Sequence, residues 1–174
     1  MTIKINKKTL GRAAALLAFI SLVLWGVLDA IQYKVVLDLG ILGKSETVVS
    51  YKGFKVLLGI VEKGESVFGT IYSVQVSNLN WMMLITYVLG LVGIFSMLIR
   101  RKLSKIGVIS LILATVLLFL SPVYFEWFLV ADQKEAIKNL GDAISFCLAT
   151  PAMISGVILG LASFLGIGSL LVKK

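Results

Sequence analysis

The chain has 174 residues, of which 59% are hydrophobic and 15% are charged, and its mean hydropathy is +1.00. Soluble globular domains carry about 25% charged residues, so this composition excludes an ordinary soluble domain and indicates an integral membrane protein. The net charge of +8 needs its own explanation, because a basic balance is also typical of proteins that bind nucleic acid.

Four apolar segments are long enough to cross a bilayer, which requires about 20 residues of helix. They cover residues 10–31, 79–99, 103–121 and 143–172. The first segment ends on Leu28, Asp29 and Ala30, which do not form a small-residue cleavage site. It is therefore predicted to be a retained helix rather than a signal peptide. The sequence predicts a single integral membrane domain with an all-helical core, a four-transmembrane-helix bundle.

The basic residues indicate how the spans are oriented. Ten of them, with no acidic residue among them, lie before the first span, between the second and third spans and after the fourth: Lys4, Lys7, Lys8, Arg12, Arg100, Arg101, Lys102, Lys105, Lys173 and Lys174. The nine acidic residues lie at the opposite ends of the spans. By the positive-inside rule, both termini are cytoplasmic and residues 32–78 and 122–142 face outward from the cell (plasma) membrane. The net charge thus reflects topology and contact with anionic lipid, not nucleic acid.

The first outer segment, 32–78, has the residue pattern of β-strands. Residues 33–40, 45–60 and 66–78 alternate in hydropathy and are rich in Val, Ile, Tyr, Phe and Thr. The residues between these runs are typical of turns. The pattern predicts a small extracytoplasmic antiparallel β-sheet of three or four strands, whose apolar face packs on the helix ends.

Gly53 interrupts the second of these runs, and two interpretations are open. A β-bulge at Gly53 places four apolar side chains on one face of the strand: Tyr51, Phe54, Val56 and Leu58. A tight hairpin would instead turn at this glycine. The shared apolar face favours the bulge.

The second outer segment, 122–142, begins with aromatic residues that suit the headgroup region: Tyr124, Phe125, Trp127 and Phe128. A short helix is predicted after them, either separate on the surface or continuous with the third span. Asp132 and Glu135 have the spacing of a capping box at its start, Gly141 is typical of its end, and Asp142 is a candidate cap for the fourth span.

The sequence contains no pattern typical of catalysis or metal binding. It has no histidine, which removes the commonest general base and the commonest metal ligand. Its single cysteine, Cys147, cannot form a disulfide within the chain or carry out dithiol exchange. This cysteine usage and the lack of a glycosylation sequon fit a bacterial membrane, and we expect neither enzyme activity nor a cofactor.

Two carboxylates, Asp29 and Glu126, lie close to the outer ends of the predicted spans. One interpretation is a cation- or proton-responsive pair beneath the sheet. The other is two interfacial carboxylates that are solvated or bonded to a lysine such as Lys34, because burial of an unpaired charge is costly.

Small residues recur at helical spacing in two spans: Ala152, Gly156 and Gly160 in the fourth, and Gly90 and Gly93 in the second. Such faces let helices approach closely, either within this bundle or at the seam of a homodimer. Pro151 is predicted to kink the fourth span in its outer part.

The predicted sheet offers a possible partner surface at Tyr51, Lys52 and Lys55. Charges at this position either protect a strand edge from pairing or bind a partner, through the surface itself or by addition of a strand.

The order of the predicted elements resembles the claudin and peripheral-myelin-protein type of tetraspan membrane proteins. The shared layout is a helix, an outer insert with strand pattern, a helix, a short basic turn, a helix, a short outer segment and a helix. The resemblance implies an antiparallel sheet over a left-handed four-helix bundle. The family's Trp…Gly-Leu-Trp…Cys…Cys signature is absent, since the insert has neither Trp nor Cys. Paracellular sealing is therefore not carried over to any residue.

These observations predict a non-enzymatic membrane protein that acts as an interaction, accessory or structural subunit. Its partner would be another membrane protein or a second copy, bound through the β-cap and the small-residue helix faces. Two alternatives stay open. One is a channel or transporter component for ions or small solutes, and the other is an envelope immunity or stress-protection protein.

Overall fold

The computed structural model describes residues 6–38, 44–65, 71–99 and 104–172. Several sequence predictions fall outside these residues. They concern the turn at 40–43, the first part of the strand pattern at 66–70, and six of the basic residues: Lys4, Arg100, Arg101, Lys102, Lys173 and Lys174.

Seven α-helices and five strands make up the described chain. In order they are α1 (Lys7–Val27), β1 (Asp29–Asp38), β2 (Lys44–Lys52), α2 (Gly53–Leu58), β3 (Val61–Glu65), β4 (Ile71–Gln75), α3 (Trp81–Ile99), α4 (Ser104–Phe119), α5 (Ser121–Phe125), α6 (Ala131–Leu140), β5 (Ile144–Leu148) and α7 (Thr150–Leu171). One-turn 3₁₀ segments, Glu126–Phe128 and Gly141–Ala143, flank α6.

Three helices, α1, α3 and α7, are each long and apolar enough to cross a membrane. A fourth candidate span consists of α4 and the following Ser121–Phe128, but the two parts are bent by 66°. The sequence predicts four spans; three of them are confirmed as helices that could cross a membrane, and a fourth is present only if the bent pair is counted as one span. Of the third predicted span, 103–121, residues Ser104–Phe119 form a continuous α-helix, and a new helix begins at Ser121.

The four long helices form a ring in which α1 and α4 each pack on both α3 and α7. Small buried side chains, including Ala14 and Ala18 of α1, allow close contact. Ser21 Oγ donates to the Ser155 carbonyl oxygen at 2.7 Å, and Ser155 Oγ donates in return to the Ser21 carbonyl oxygen. These two hydrogen bonds join α1 to α7, and they satisfy hydroxyl groups that a dry interior would otherwise leave unpaired.

Residues 28–38, 44–65, 71–80 and 120–149 form a unit at one end of this bundle, here called the cap. It contains a three-stranded antiparallel sheet in the order β2-β1-β5 and a separate antiparallel hairpin, β3–β4. The prediction of a small antiparallel sheet is thus confirmed. The set of strands in the sheet differs from the sequence prediction. Strand β5 belongs to the sheet, although its residues were assigned to the start of the fourth span.

The boundaries of two predicted spans shift as a result. The first helix ends at Val27, and Asp29 already pairs with Lys52 as the first residue of β1. The fourth helix begins at Thr150 rather than at residue 143, so Pro151 lies in its first turn and does not kink it. Proline is well tolerated there, because its missing N–H would have no helical partner.

Gly53 is neither a bulge nor a hairpin turn, and both interpretations are wrong. The chain passes directly from β2 into α2 at this residue. The Gly53 N–H donates to the Leu28 carbonyl oxygen at 3.1 Å, and a Cβ at Gly53 would lie less than 3.0 Å from the Trp25 carbonyl group. A tertiary contact with α1 therefore decides the local structure. The predicted common face is also lost, since Phe54 is 43% and Leu58 67% exposed while Val56 is fully buried.

The helix predicted after the aromatic segment is a separate one, α6. Its predicted capping box does not form, because the helix begins at Ala131 and its N-cap, Val130, has no side chain that could accept a hydrogen bond. Asp132 lies within the first turn instead. Gly141 has φ +53° and ends the helix as predicted. Asp142 belongs to the 3₁₀ turn before β5 and does not cap α7.

Replacement of Gly53 by alanine should push α2 away from α1. The added methyl group meets backbone atoms of Trp25 rather than a flexible side chain, so we expect Gly53→Ala to lower the free energy of unfolding by about 1–3 kcal/mol. The measurement is thermal unfolding of the detergent-solubilised protein, followed by tryptophan fluorescence.

Gly160→Ala is the matched control, because a Cβ there would lie 3.8 Å from Thr115, an ordinary contact distance. We expect this variant to be unchanged or stabilised by about 0.5–1 kcal/mol. Equal stability of Gly53→Ala and Gly160→Ala would contradict the assigned contact.

Candidate functional site

A cavity of about 510 Å³ lies inside the cap and is here called the cap cavity. The sheet, the hairpin β3–β4, the segment after α4 and helix α6 all contribute to its wall. The lining residues are Tyr33, Val35, Tyr51, Glu62, Lys63, Gly64, Val74, Val76, Phe125, Leu129, Gln133, Ala136, Ile137, Leu140, Ile144 and Phe146. Its volume falls within the range of small-molecule binding sites, about 300–1,000 Å³.

Strand alternation explains why the sheet presents an aromatic face to this cavity. Tyr33 lies opposite Val49 of β2 and Phe146 of β5, so side chains of the same pleat line up across three strands. The ring centroid of Tyr33 lies 6.0 Å from that of Tyr51 and 6.1 Å from that of Phe146. Phe125 contacts Phe146 edge-on at 5.6 Å. Contacts of this kind stabilise aromatic clusters and give the cavity a firm apolar wall.

The hairpin is fixed above the cavity by hydrogen bonds at its base. Val76 N donates to the Ile60 carbonyl oxygen at 2.8 Å, and Ile60 N donates to Ser77 Oγ at 3.1 Å. On the other side, Asn78 N donates to the Phe128 carbonyl oxygen and Val130 N to the Val76 carbonyl oxygen. The hairpin is therefore tied both to the end of α2 and to the segment that leads into α6.

Helix α6 covers the cavity more loosely. It has no fully buried residue, although its residues Ala136, Ile137 and Leu140 line the cavity. One anchor at its start is Lys134, whose Nζ donates to the Trp127 carbonyl oxygen at 2.9 Å. An apolar helix face without full burial is the part of the cap best suited to accommodate a bound molecule.

The polar rim of the cavity centres on Tyr51 and Glu62. Tyr51 is only 6% exposed, and its hydroxyl donates to Glu62 Oε1 at 2.7 Å. Burial raises the pKa of Tyr51 above its usual value of 10.0, and the hydrogen bond to Glu62 and the neighbouring Tyr33 raise that pKa further. This hydroxyl is therefore a hydrogen-bond donor throughout the physiological pH range.

A second cavity, of about 640 Å³, adjoins the first and is here called the basic groove. Lys52, Lys55 and Lys63 line it together with Asp29, and it shares Tyr51, Glu62 and Lys63 with the cap cavity. Among the residues that the structure describes, the only ion pair within 4.0 Å joins Lys34 of β1 to Glu46 of β2, and neither residue lines the groove. Within the described residues none of the three groove lysines has a carboxylate oxygen within 4.0 Å, although Asp29 and Glu62 line the same groove.

The partner surface predicted from the sequence is only partly exposed in the structure. Lys52 and Lys55 are exposed, as a surface requires, but Tyr51 is buried beneath them at the boundary of the two cavities. Asp29 lines the basic groove, whereas Glu126 lines a separate cleft with Trp127 and Lys134. The structure does not bring the two carboxylates into one cavity.

The predicted small-residue faces lie inside the bundle. A Cβ at Gly90, Gly93 or Gly156 would come less than 3.0 Å from Leu22, Leu111 or Phe119, respectively. Ala152 is fully buried, and Gly160 faces Thr115 at ordinary contact distance. For each of the four glycines, the named neighbour belongs to another helix of the same chain.

Sequence reasoning missed most of the cavity. Ile144 and Phe146 alternate with Ser145 and Cys147, which is a strand signal, but this short run merges with the apolar residues of α7. Glu62 stands in a predicted turn, and nothing near it in the sequence indicates its contact with Tyr51.

The fold defines a mostly helical protein with three or four membrane-compatible helices and a small antiparallel cap. Within residues 6–38, 44–65, 71–99 and 104–172, no group of three or more His, Cys, Asp or Glu side chains could hold a metal ion. Comparison with known protein families, curated proteins and solved structures gives no match.

The Tyr51–Glu62 contact predicts an alkaline loss of stability. Above about pH 10 the unfolded chain releases the Tyr51 proton while the folded protein retains it, so the free energy of unfolding falls as pH rises. Below pH 10 the contribution is fully present. Tyr51→Phe should lower stability at pH 8 by about 1–2 kcal/mol through loss of the hydrogen bond.

The difference between wild type and Tyr51→Phe should then narrow as the pH is raised above 10, because phenylalanine has no proton to lose. Thermal unfolding of both proteins in detergent at pH values around 8 to 11 checks this. A constant difference over the whole range would show that Tyr51 does not titrate as described.

Proposed function

We propose that this chain is a non-enzymatic, multi-pass protein of the plasma membrane and that its cap is an extracytoplasmic binding module. It acts as an accessory or interaction protein by holding the apolar part of a partner molecule in the cap cavity. The claudin-like layout, with four spans and both termini in the cytoplasm, is part of the same proposal.

One observation carries the binding proposal: a cavity of about 510 Å³ with an aromatic wall, a fixed hairpin above it and a loosely packed helix on one side. Pockets that are mostly apolar and contain a few converging polar groups are the usual form of ligand sites. Tyr51, Glu62 and Lys63 supply such groups at one edge. The cap therefore has the shape and chemistry of a receptor.

Transport has weaker support. Helices α3 and α7 contain no charged residue. Helices α1 and α7 pack closely through alanine residues and through the reciprocal Ser21–Ser155 hydrogen bonds. A transporter for ions would need polar groups along a path through the bundle. The apolar cavity in the cap favours binding at the membrane surface.

The proposed topology can be tested by cysteine labelling in intact cells. In a Cys147→Ser background, Ser50→Cys places an exposed thiol on the cap, and Lys105→Cys places one at the opposite end of the bundle. We expect a membrane-impermeant maleimide to label the first variant in whole cells and the second only after lysis, since the cap lies outside. The reverse pattern would place the cap in the cytoplasm.

The binding function can be tested with an uncharged photoreactive probe, the methyl ester of a hexadecanoic acid that carries a diazirine in its chain. The full-length protein in phosphatidylcholine nanodiscs is irradiated with the probe, and labelled peptides are identified by mass spectrometry. We expect labelling within residues 131–148 of the cap as well as on the lipid-facing helices.

Ala136→Trp should fill the cavity and remove most of the cap labelling, while labelling of α1, α3 and α7 continues. Ala131→Trp is the matched control, because it introduces the same side chain on an exposed position of α6 that does not line the cap cavity. Absence of cap labelling in the wild type, or equal loss in both variants, would contradict the proposed function.

A further inference from the structure

We infer that the ligand of the cap is a single-chain anionic amphiphile, whose hydrocarbon chain occupies the cap cavity and whose carboxylate or phosphate headgroup lies in the basic groove. This inference rests on the proposed binding function and adds the chemical class of the ligand. It follows from the way in which the two cavities differ in chemistry and share one boundary.

The cap cavity fits a hydrocarbon chain by its lining and its volume. Aromatic and aliphatic side chains supply most of its wall, with Phe125, Phe146 and Ile137 contributed by α5, β5 and α6, respectively. If a methylene group takes on the order of 30 Å³, about the share of a water molecule in the liquid, a volume of about 510 Å³ holds one acyl chain rather than two. A single-chain amphiphile therefore fits better than a two-chain phospholipid.

The basic groove fits an anionic headgroup by its charge. Lys52, Lys55 and Lys63 line it, and none of them has a carboxylate within 4.0 Å among the described residues. Of the two carboxylates in the groove, Glu62 already accepts the Tyr51 hydroxyl. Lysine ammonium groups are strong donors to carboxylate and phosphate oxygens, so an anion placed here would gain several contacts.

The boundary between the cavities makes one continuous amphipathic site. Tyr51, Glu62 and Lys63 belong to both linings. The groove also lies at the base of the cap, since Asp29 closely follows the last residue of α1 and Lys55 stands in α2, which rests on that helix. In the proposed topology this is the level of the lipid headgroups, where amphiphiles are concentrated.

Competing probes with one chain and different headgroups test this inference. Photoreactive hexadecanoic acid, its lysophosphatidic acid, its methyl ester and a trimethylammonium analogue are each irradiated with the full-length protein in phosphatidylcholine nanodiscs. We expect at least one anionic probe to label the cap roughly tenfold more strongly than the ester, about the effect of one charge-assisted hydrogen bond. The stronger of the two anionic probes identifies the headgroup as carboxylate or phosphate.

The double variant Lys55→Gln/Lys63→Gln should reduce cap labelling by the anionic probe to about the level of the ester. The control double variant Lys44→Gln/Lys138→Gln removes the same charge from exposed positions outside both cavities and should retain the preference. Labelling of the lipid-facing helices and the unfolding temperature report whether each variant is folded.

Three results would overturn the inference while leaving the proposed function intact: equal cap labelling by the anionic probes and the ester, stronger labelling by the trimethylammonium probe, or equal loss in both double variants. Failure of every probe, including the ester, to label the cap would overturn the inference and the proposed function together.

Discussion

The backbone of Gly53 lies against the carbonyl group of Trp25, in the last turns of α1, and the rest of the cap depends on this contact. Only a residue without a Cβ can approach a backbone so closely. The contact stops β2 at Lys52, turns the chain into α2 and brings the sheet down onto the bundle. Tyr51 and Lys55 stand on either side of Gly53, so the same contact also sets the polar boundary of the cap cavity and the floor of the basic groove.

The cap combines rigid and loosely packed parts, and the cavity is a consequence of that combination. The sheet is fixed by its register and by the aromatic contacts of Tyr33, and the hairpin is fixed by the hydrogen bonds at its base. Helix α6 has no buried residue and most of its residues are exposed, and Gly141, in a left-handed conformation, separates it from β5. The aromatic face is therefore held in place by the sheet itself, while its cover on the α6 side is not packed to the density of a core.

Sequence reasoning succeeded where local pattern decides the structure and failed where distant contacts decide it. Hydropathy located the long helices, and alternation located β1 and β2. The sequence did not predict α2 at Gly53, because this helix depends on a contact with Trp25, which is far away in sequence. It failed at Phe146, because β5 adjoins the apolar α7 and the two patterns merge. The cap cavity could not be predicted at all, since its wall is assembled from segments that are remote from one another along the chain.

The distribution of polar groups separates the two halves of the molecule. Within the bundle, hydroxyl groups of Ser21, Ser155 and Thr86 are occupied by hydrogen bonds to helix carbonyl oxygens, and they serve helix contact rather than ligand binding. In the cap, by contrast, the lysines of the basic groove lie next to an apolar cavity, and in the part of the chain that the structure describes no carboxylate oxygen lies within 4.0 Å of them. A lysine that forms no close ion pair contributes little to the stability of the cap itself. It does supply what an amphiphile requires of a receptor, which is an apolar interior and a charged rim within the length of one molecule.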